Sequence, residues 1–129
     1  YPYLNGLKEF IGSLGPRFSV LSNITNMAEI MSKSDLCIGA AGSSSWERCC
    51  LGLPTITLAI ADNQKDILNN LQKEQVTVAS NLYNITSVFD RLTEQDHRSE
   101  IYKMSNNALS ICDGYGVKRV VDRLGYKLD

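Results

Sequence analysis

One run constrains this chain more than any other: Leu36-Cys-Ile-Gly-Ala-Ala-Gly-Ser-Ser-Ser-Trp-Glu-Arg-Cys-Cys-Leu-Gly-Leu-Pro54. Its apolar start fits a strand buried on both faces, as in a parallel sheet. Ala40, Ala41 and Gly42 are small and let other backbone or a ligand come close. Ser43, Ser44 and Ser45 open a helix, and Gly52-Leu-Pro54 closes it. A strand, a tight turn and a helix in that order form the repeating unit of layered α/β folds.

The rest of the chain repeats the pattern. Leu4, Leu7, Phe10, Ile11 and Leu14 recur at helical spacing, and Gly15-Pro16 stops that helix. Residues 18–21 read as a strand, and 23–26 as a loop in which Thr25 or Asn26 caps the next helix, with Met27, Ile30 and Met31 on its apolar face. Strands are expected over 35–39, 55–60 and 76–79. Ile67, Leu68 and Leu71 mark a helix between the last two strands, and the chain reads as helical from Ile85 onward, over 86–92, 99–112 and 117–124. The alternation argues for an α/β layered domain with a mostly parallel sheet, occupying 1–129 as a single unit.

Ligands in such sheets sit beyond the carboxyl ends of the strands. Three polar loops meet there: 22–26, 40–47 and 61–64. The middle one offers free backbone N–H groups at a helix start, where an anion is stabilised by unpaired donors and the helix dipole. Ser43, Ser44 and Ser45 add hydroxyls, and Glu47 is placed to accept hydrogen bonds from sugar hydroxyls beside a bound phosphate. The stretch reads as half of a nucleotide-sugar site. The plainer alternative is a capping box between Ser44 and Glu47. Trp46, Cys49, Cys50 and Leu53 recur at i, i+3, i+4 and i+7 and are expected to form the buried helix face.

With a net charge of −1 and no long charged run, nothing points to nucleic acid or to an anionic membrane surface. No apolar segment has the length of a membrane span. The opening Tyr1-Pro-Tyr-Leu is not a signal peptide and lacks an initiator methionine, which suggests a processed chain or an excised piece. Cys37, Cys49, Cys50 and Cys112 show no metal-ligand spacing and read as reduced thiols of a cytoplasmic protein, with no metal site. The lone histidine, His97, lies in a polar run away from them.

Asn26-Met-Ala-Glu-Ile-Met31, the run from Ile38 to Pro54, Ala61-Asp-Asn-Gln64 and Asp113-Gly-x-Gly-x-x-Arg-Val120 follow one another in order. Together they resemble the UDP-sugar hydrolase of pseudaminic acid biosynthesis. That enzyme looks like a relative of the glycosyltransferase that adds N-acetylglucosamine in peptidoglycan synthesis. The resemblance implies the C-terminal half of a glycosyltransferase-B-type fold, a Rossmann-like three-layer domain whose two opening strands are missing. It implies binding of UDP or a UDP-sugar. Ile24 would offer its backbone to the uracil edge with Met27 packing nearby, Gly42, Ser43 and Ser44 would bind the diphosphate, Glu47 would hold the ribose, and Asn63 and Gln64 would face the sugar or its leaving phosphate. The implied reaction is hydrolysis of UDP-2,4-diacetamido-2,4,6-trideoxy-β-L-altropyranose by water, with no metal and no cofactor.

The family's catalytic histidine belongs to an N-terminal domain outside these residues, and His97 does not match it. The catalytic residues are therefore unassigned, and the piece alone is expected to be inactive. Two further readings share this nucleotide-binding half: a UDP-sugar glycosyltransferase, and a non-catalytic module fused to a sialic-acid-type cytidylyltransferase. An uncovered sheet edge and the apolar stripe of the first helix lead to an expectation of homodimerisation.

Overall fold

The computed structural model describes residues 2–125. In chain order these form α1 (Leu4–Ser13), α2 (Met27–Ser32), β1 (Cys37–Ala40), α3 (Ser44–Cys50), β2 (Thr55–Leu58), α4 (Lys65–Lys73), β3 (Thr77–Ser80), α5 (Ile85–Thr93), α6 (Arg98–Ile111) and α7 (Gly116–Arg123). Short 3-10 turns cover Asp62–Gln64 and Gln95–His97. The strands make one parallel sheet in the order β1-β2-β3.

The register explains the layers. Ile38, Ile56 and Val78 stand side by side in one row. Side chains alternate along a strand, so the neighbouring rows, Cys37-Thr55-Thr77 and Gly39-Thr57-Ala79, face the other way. The apolar row meets α5: Ile56, Leu92 and Met104 form a buried core, with Val78, Ile85 and Val88 packed on it. The opposite face is covered by α3 and α4. There Cys49, Leu71, Val76 and Ala108 form a second core. Both crossover helices lie on one face, as right-handed crossovers stepping a sheet in one direction require. Helix α6 gives Met104 to one core and Ala108 to the other, and so joins them.

The face under α3 and α4 is polar yet dry. The Thr57 hydroxyl lies 2.6 Å from that of Thr77, Thr77 donates to the Thr55 carbonyl at 2.7 Å, and Thr55 donates to the Leu53 carbonyl at 3.0 Å. Every buried hydroxyl in this chain of bonds has a partner, so the layer escapes the penalty of an unsatisfied buried group. Only about 10 Å³ of space remains between it and the helices.

Local chemistry sets the helix ends. Asn26 caps α2, its side chain accepting from the Glu29 amide at 3.3 Å while its amide donates to the Glu29 carboxylate at 2.9 Å. Helix α3 ends in a Schellman motif: Gly52 N–H reaches the Cys49 carbonyl and Leu53 N–H the Arg48 carbonyl, both at 3.0 Å. Gly52 is at φ +61°, and a Cβ there would stand 2.8 Å from Leu109, so glycine is required by both backbone and packing.

Several expectations are corrected. Residues 18–21 are not a strand: they have no neighbouring strand to take their N–H and C=O groups, and Phe18 and Leu21 are exposed. The stripe of α1 is not buried: Leu4 and Ile11 are half-buried, and Leu7, Phe10 and Leu14 are exposed. The first two strands are shorter than expected, 37–40 against 35–39 and 55–58 against 55–60, and the third lies at 77–80 against 76–79, because each covers only the residues paired in the ladder. Trp46 is exposed rather than buried; the face of α3 turned to the sheet is Ser45, Arg48 and Cys49. The polar threonine row below selects hydrogen-bonding side chains at those positions, which a hydrophobic period does not detect.

Replacing Ile56 with Ala should therefore cost roughly 2–5 kcal/mol, as for other fully buried branched side chains. Trp46→Ala should cost under about 1 kcal/mol, in the range of surface substitutions. Urea denaturation of the two variants measures the contrast, and equal losses would contradict the orientation of α3.

Candidate functional site

The turn between β1 and α3 is built by a residue that the sequence pattern did not single out. Arg48 is 5% exposed. Its Nη2 donates to the Ala40 carbonyl and to the Ser45 hydroxyl, each at 2.9 Å, and its Nη1 to the Ser44 hydroxyl at 3.3 Å. One guanidinium thus ties the last residue of the strand to the first two residues of the helix. Gly39 makes room for it: a Cβ there would stand 2.5 Å from Nη1. Among the described residues no carboxylate pairs with Arg48. A buried cation without a counter-ion is costly, and neutral dipoles offset only part of that cost. An anion at the turn above would supply the missing charge. The detectable signal was Arg at i+4 from Ser44 opposite a glycine in the strand.

The turn itself is left open. Ala41 N–H pairs with the Leu58 carbonyl at 3.0 Å, and Gly42 N–H with the Ser45 hydroxyl at 3.3 Å. The amides of Ser43 and Ser44 take no backbone partner, and Ser43 makes no side-chain cap bond. The capping box between Ser44 and Glu47 is absent, because the Ser44 hydroxyl is engaged by Arg48 and the helix starts at Ser44 itself. Glu47 stays exposed. It lines a shallow groove of about 260 Å³ with Ala28, Met31, Cys50 and Leu51, so α2 lies against the Glu47 side of α3.

The other expected residues divide. Asn63 and Gln64 form the turn after β2, and Ala40 and Leu58 are paired in the ladder, so this turn and the one at Gly42, Ser43 and Ser44 crown adjacent strands. Gln64 uses its side-chain oxygen to accept from Ile60 N–H at 3.0 Å and shapes the loop, whereas Asn63 is exposed. Ile24 is half-buried and Met27 exposed, both in the segment that opens α2. Neither lines the groove beside Glu47, although Ala28 and Met31 do.

No thiol lies at the turn over Arg48 with a base beside it, and the one histidine is elsewhere. Burial pushes the Cys49 thiol up to about 11, with the nearby Cys112 adding and Arg48 opposing. Cys50 is raised chiefly by its hydrogen bond with Cys112. His97 belongs elsewhere, 3.8 Å from Glu100, which is itself bound by Arg91 at 2.6 Å. Arg91 and Glu100 line a cavity of about 450 Å³ beside β3, with Gln72, Gln75 and Lys103. There Arg91 is already neutralised by Glu100, whereas Arg48 under the turn at β1 has no carboxylate partner among the described residues. No group of three or more His, Cys, Asp or Glu among the described residues is arranged to hold a metal ion. No described helix is long and apolar enough to cross a membrane.

The motif near the end of the chain also acquires a structure. Asp113 is paired with Arg119 and accepts from Tyr115 N–H at 3.0 Å. The Arg119 guanidinium, first, and that amide hold its carboxyl below the usual carboxylate range.

Comparison with known proteins agrees with this geometry. Residues 3–115 match the model of the glycosyltransferase family 28 C-terminal domain. A UDP-N-acetylglucosamine–N-acetylmuramyl-(pentapeptide) pyrophosphoryl-undecaprenol N-acetylglucosamine transferase of Helicobacter acinonychis (strain Sheeba) is 30% identical over 112 residues, 77% of this chain and 31% of the relative. The enzymes of the same name from Helicobacter pylori strains ATCC 700392 / 26695 and Shi470 are 45% and 43% identical over 53 residues, 39% of this chain and 15% of each relative. The chain thus spans less than a third of the length of these relatives. They bear the name of a transferase, so the finer resemblance to a pseudaminic acid hydrolase gives way to the broader group that both share. With its α/β layers, its parallel sheet and the turn after β1, this chain belongs to the family of glycosyltransferase family 28 C-terminal domains.

Proposed function

We propose that these residues are the donor-nucleotide-binding part of a UDP-sugar glycosyltransferase. The observation that carries the reading is the turn over Arg48: unpaired amides at Ser43 and Ser44 above a buried cation with no carboxylate partner. Such a turn suits a diphosphate, which combines charge with several acceptor oxygens. In this reading Gly42, Ser43 and Ser44 hold the diphosphate and Glu47 accepts from the ribose hydroxyls. Ile24 presents its backbone to the base with Met27 beside it, and Asn63 meets the sugar while Gln64 shapes its loop. The relatives' printed names, which specify a UDP-N-acetylglucosamine transferase, support a UDP-sugar as donor.

A hydrolase is the second reading, favoured by the Cys49-Cys50-Leu-Gly-Leu-Pro54 run and the Asp62-Asn-Gln64 turn. Both reactions break the bond between the anomeric carbon and the UDP oxygen; they differ in whether an acceptor hydroxyl or water attacks. Incubating the whole protein with UDP-N-acetylglucosamine separates them. UDP release that requires a lipid-linked or other glycosyl acceptor supports the transferase, and equal release in water alone supports the hydrolase.

Calorimetric titration tests the site. Glu47→Ala should weaken UDP by about 1.5–3 kcal/mol, roughly 10- to 150-fold, the worth of hydrogen bonds to a charged group. Its melting temperature should hardly move, because Glu47 makes no cap bond in the fold. A variant that melts early and binds UDP normally would remove Glu47 from the site.

Arg48→Met should discriminate among ligands. It removes the cation beneath the turn, so UDP affinity should fall about tenfold or more while uridine binding changes little. Equal losses for UDP and uridine would show that Arg48 serves only to shape the turn.

A further inference from the structure

We propose that Cys50 and Cys112 form an oxidisable thiol pair that closes reversibly into a disulfide within this domain. Their sulfurs lie 2.9 Å apart in a thiol–thiol hydrogen bond. A disulfide bond is about 2.0 Å long, so closure needs an approach of about 0.9 Å. Both residues are partly exposed and within reach of a small oxidant, while their neighbour Cys49 is buried in the core. Cys37 stands on the sheet.

The backbone on each side is held in place. Cys50 is the last residue of α3, fixed by the Schellman motif that follows it. Cys112 follows α6 directly and packs on the core cluster that contains Cys49 and Ala108. The next residues are pinned by the Asp113–Arg119 ion pair and by the bond from Tyr115 N–H to Asp113. Gly114, at φ +77°, presents its bare α-carbon to Cys50: a Cβ there would be 4.0 Å from the sulfur. Two side chains 62 positions apart are therefore brought together by the packing of α3 on α6, with little motion left to make the bond.

The oxidant is a peroxide. One thiol releases its proton, its thiolate attacks a peroxide oxygen, the O–O bond breaks, and the departing hydroxide takes up that proton, which leaves a sulfenic acid and one water. The second thiol attacks that sulfur, the S–S bond forms, and the hydroxyl leaves with the thiol proton as a second water. The two sulfurs lose two electrons and the peroxide gains them. A dithiol reductant reverses the step by thiol–disulfide exchange. The thiolate is the reactive form, and the hydrogen bond with Cys112 raises the Cys50 thiol, so closure should speed up as pH rises above neutrality.

Hydrogen peroxide treatment of the purified protein, followed by denaturation, alkylation and peptide mass spectrometry, tests the pair. The expected product is a monomer carrying a Cys50–Cys112 link, with Cys37 and Cys49 still alkylated, a melting temperature several degrees higher, and full reversal by dithiothreitol. Cys49 and Cys50 share a peptide, so variants assign the link: Cys49→Ser should keep it, and Cys50→Ser and Cys112→Ser should each abolish it. Should one serine variant fail to fold, the other decides. Free Cys50 and Cys112 after exposure that oxidises the protein's methionines would overturn the proposal. So would a Cys49–Cys112 link, or a dimer joined through Cys50.

Discussion

A single guanidinium buried between sheet and helix fixes the turn on which the site depends. Arg48 binds the carbonyl that ends β1 and the hydroxyls of the first two residues of α3. Its place explains why the strand carries a glycine at position 39, why Ser44 cannot cap its own helix, and why Ser43 and Ser44 keep their amides unspent. A cation in such a place costs stability unless something answers its charge. The protein answers with neutral dipoles, which leaves a positive field under an open turn. The polar threonine layer beside it has the same logic: a face that must receive an arginine and two serines cannot be built from Leu and Val alone, and its hydroxyls close on one another and on the backbone.

The layers that support this turn are unequal. The face under α5 is an ordinary apolar core around Ile56, Leu92 and Met104. The face under α3 and α4 is partly polar: its threonine hydroxyls bond within the sheet, and Arg48 ties α3 to the end of β1. Helix α6 couples the two through Met104 and Ala108. It also brings Cys112 to Cys50, so the end of α3 is tied to the end of α6, just as its beginning is tied to β1 by Arg48. The functional helix is thus held at both ends by side chains other than leucine.

The family match covers residues 3–115, which include all three strands and the turns after β1 and β2. Parallel strands place the turns after β1 and β2 side by side, which joins two motifs well separated in the chain. Neither Cys49, raised by burial, nor His97, engaged with Glu100 far from the turn in the chain, supplies a nucleophile or base to it.

By itself the sequence determined the order of most elements and the parallel α/β layering. Small residues, serines and a Gly-Leu-Pro exit have local meanings, since they act through dihedral preference and the unpaired amides of one helix turn. So the strand at Cys37–Ala40, the helix at Ser44–Cys50, the parallel sheet and the cap at Asn26 were all legible. What only the tertiary structure decided was which side of each element is covered. Trp46 looked buried because a hydrophobic period assumes an apolar floor, and the floor beneath α3 is threonine. Residues 18–21 looked like a strand because β propensity is local, while a strand exists only where a partner takes its hydrogen bonds. The Cys50–Cys112 contact was invisible for the same reason: it is a relation between residues brought together by packing, and no spacing along the chain encodes it, whereas Arg48 left only its i+4 spacing from Ser44 as a trace.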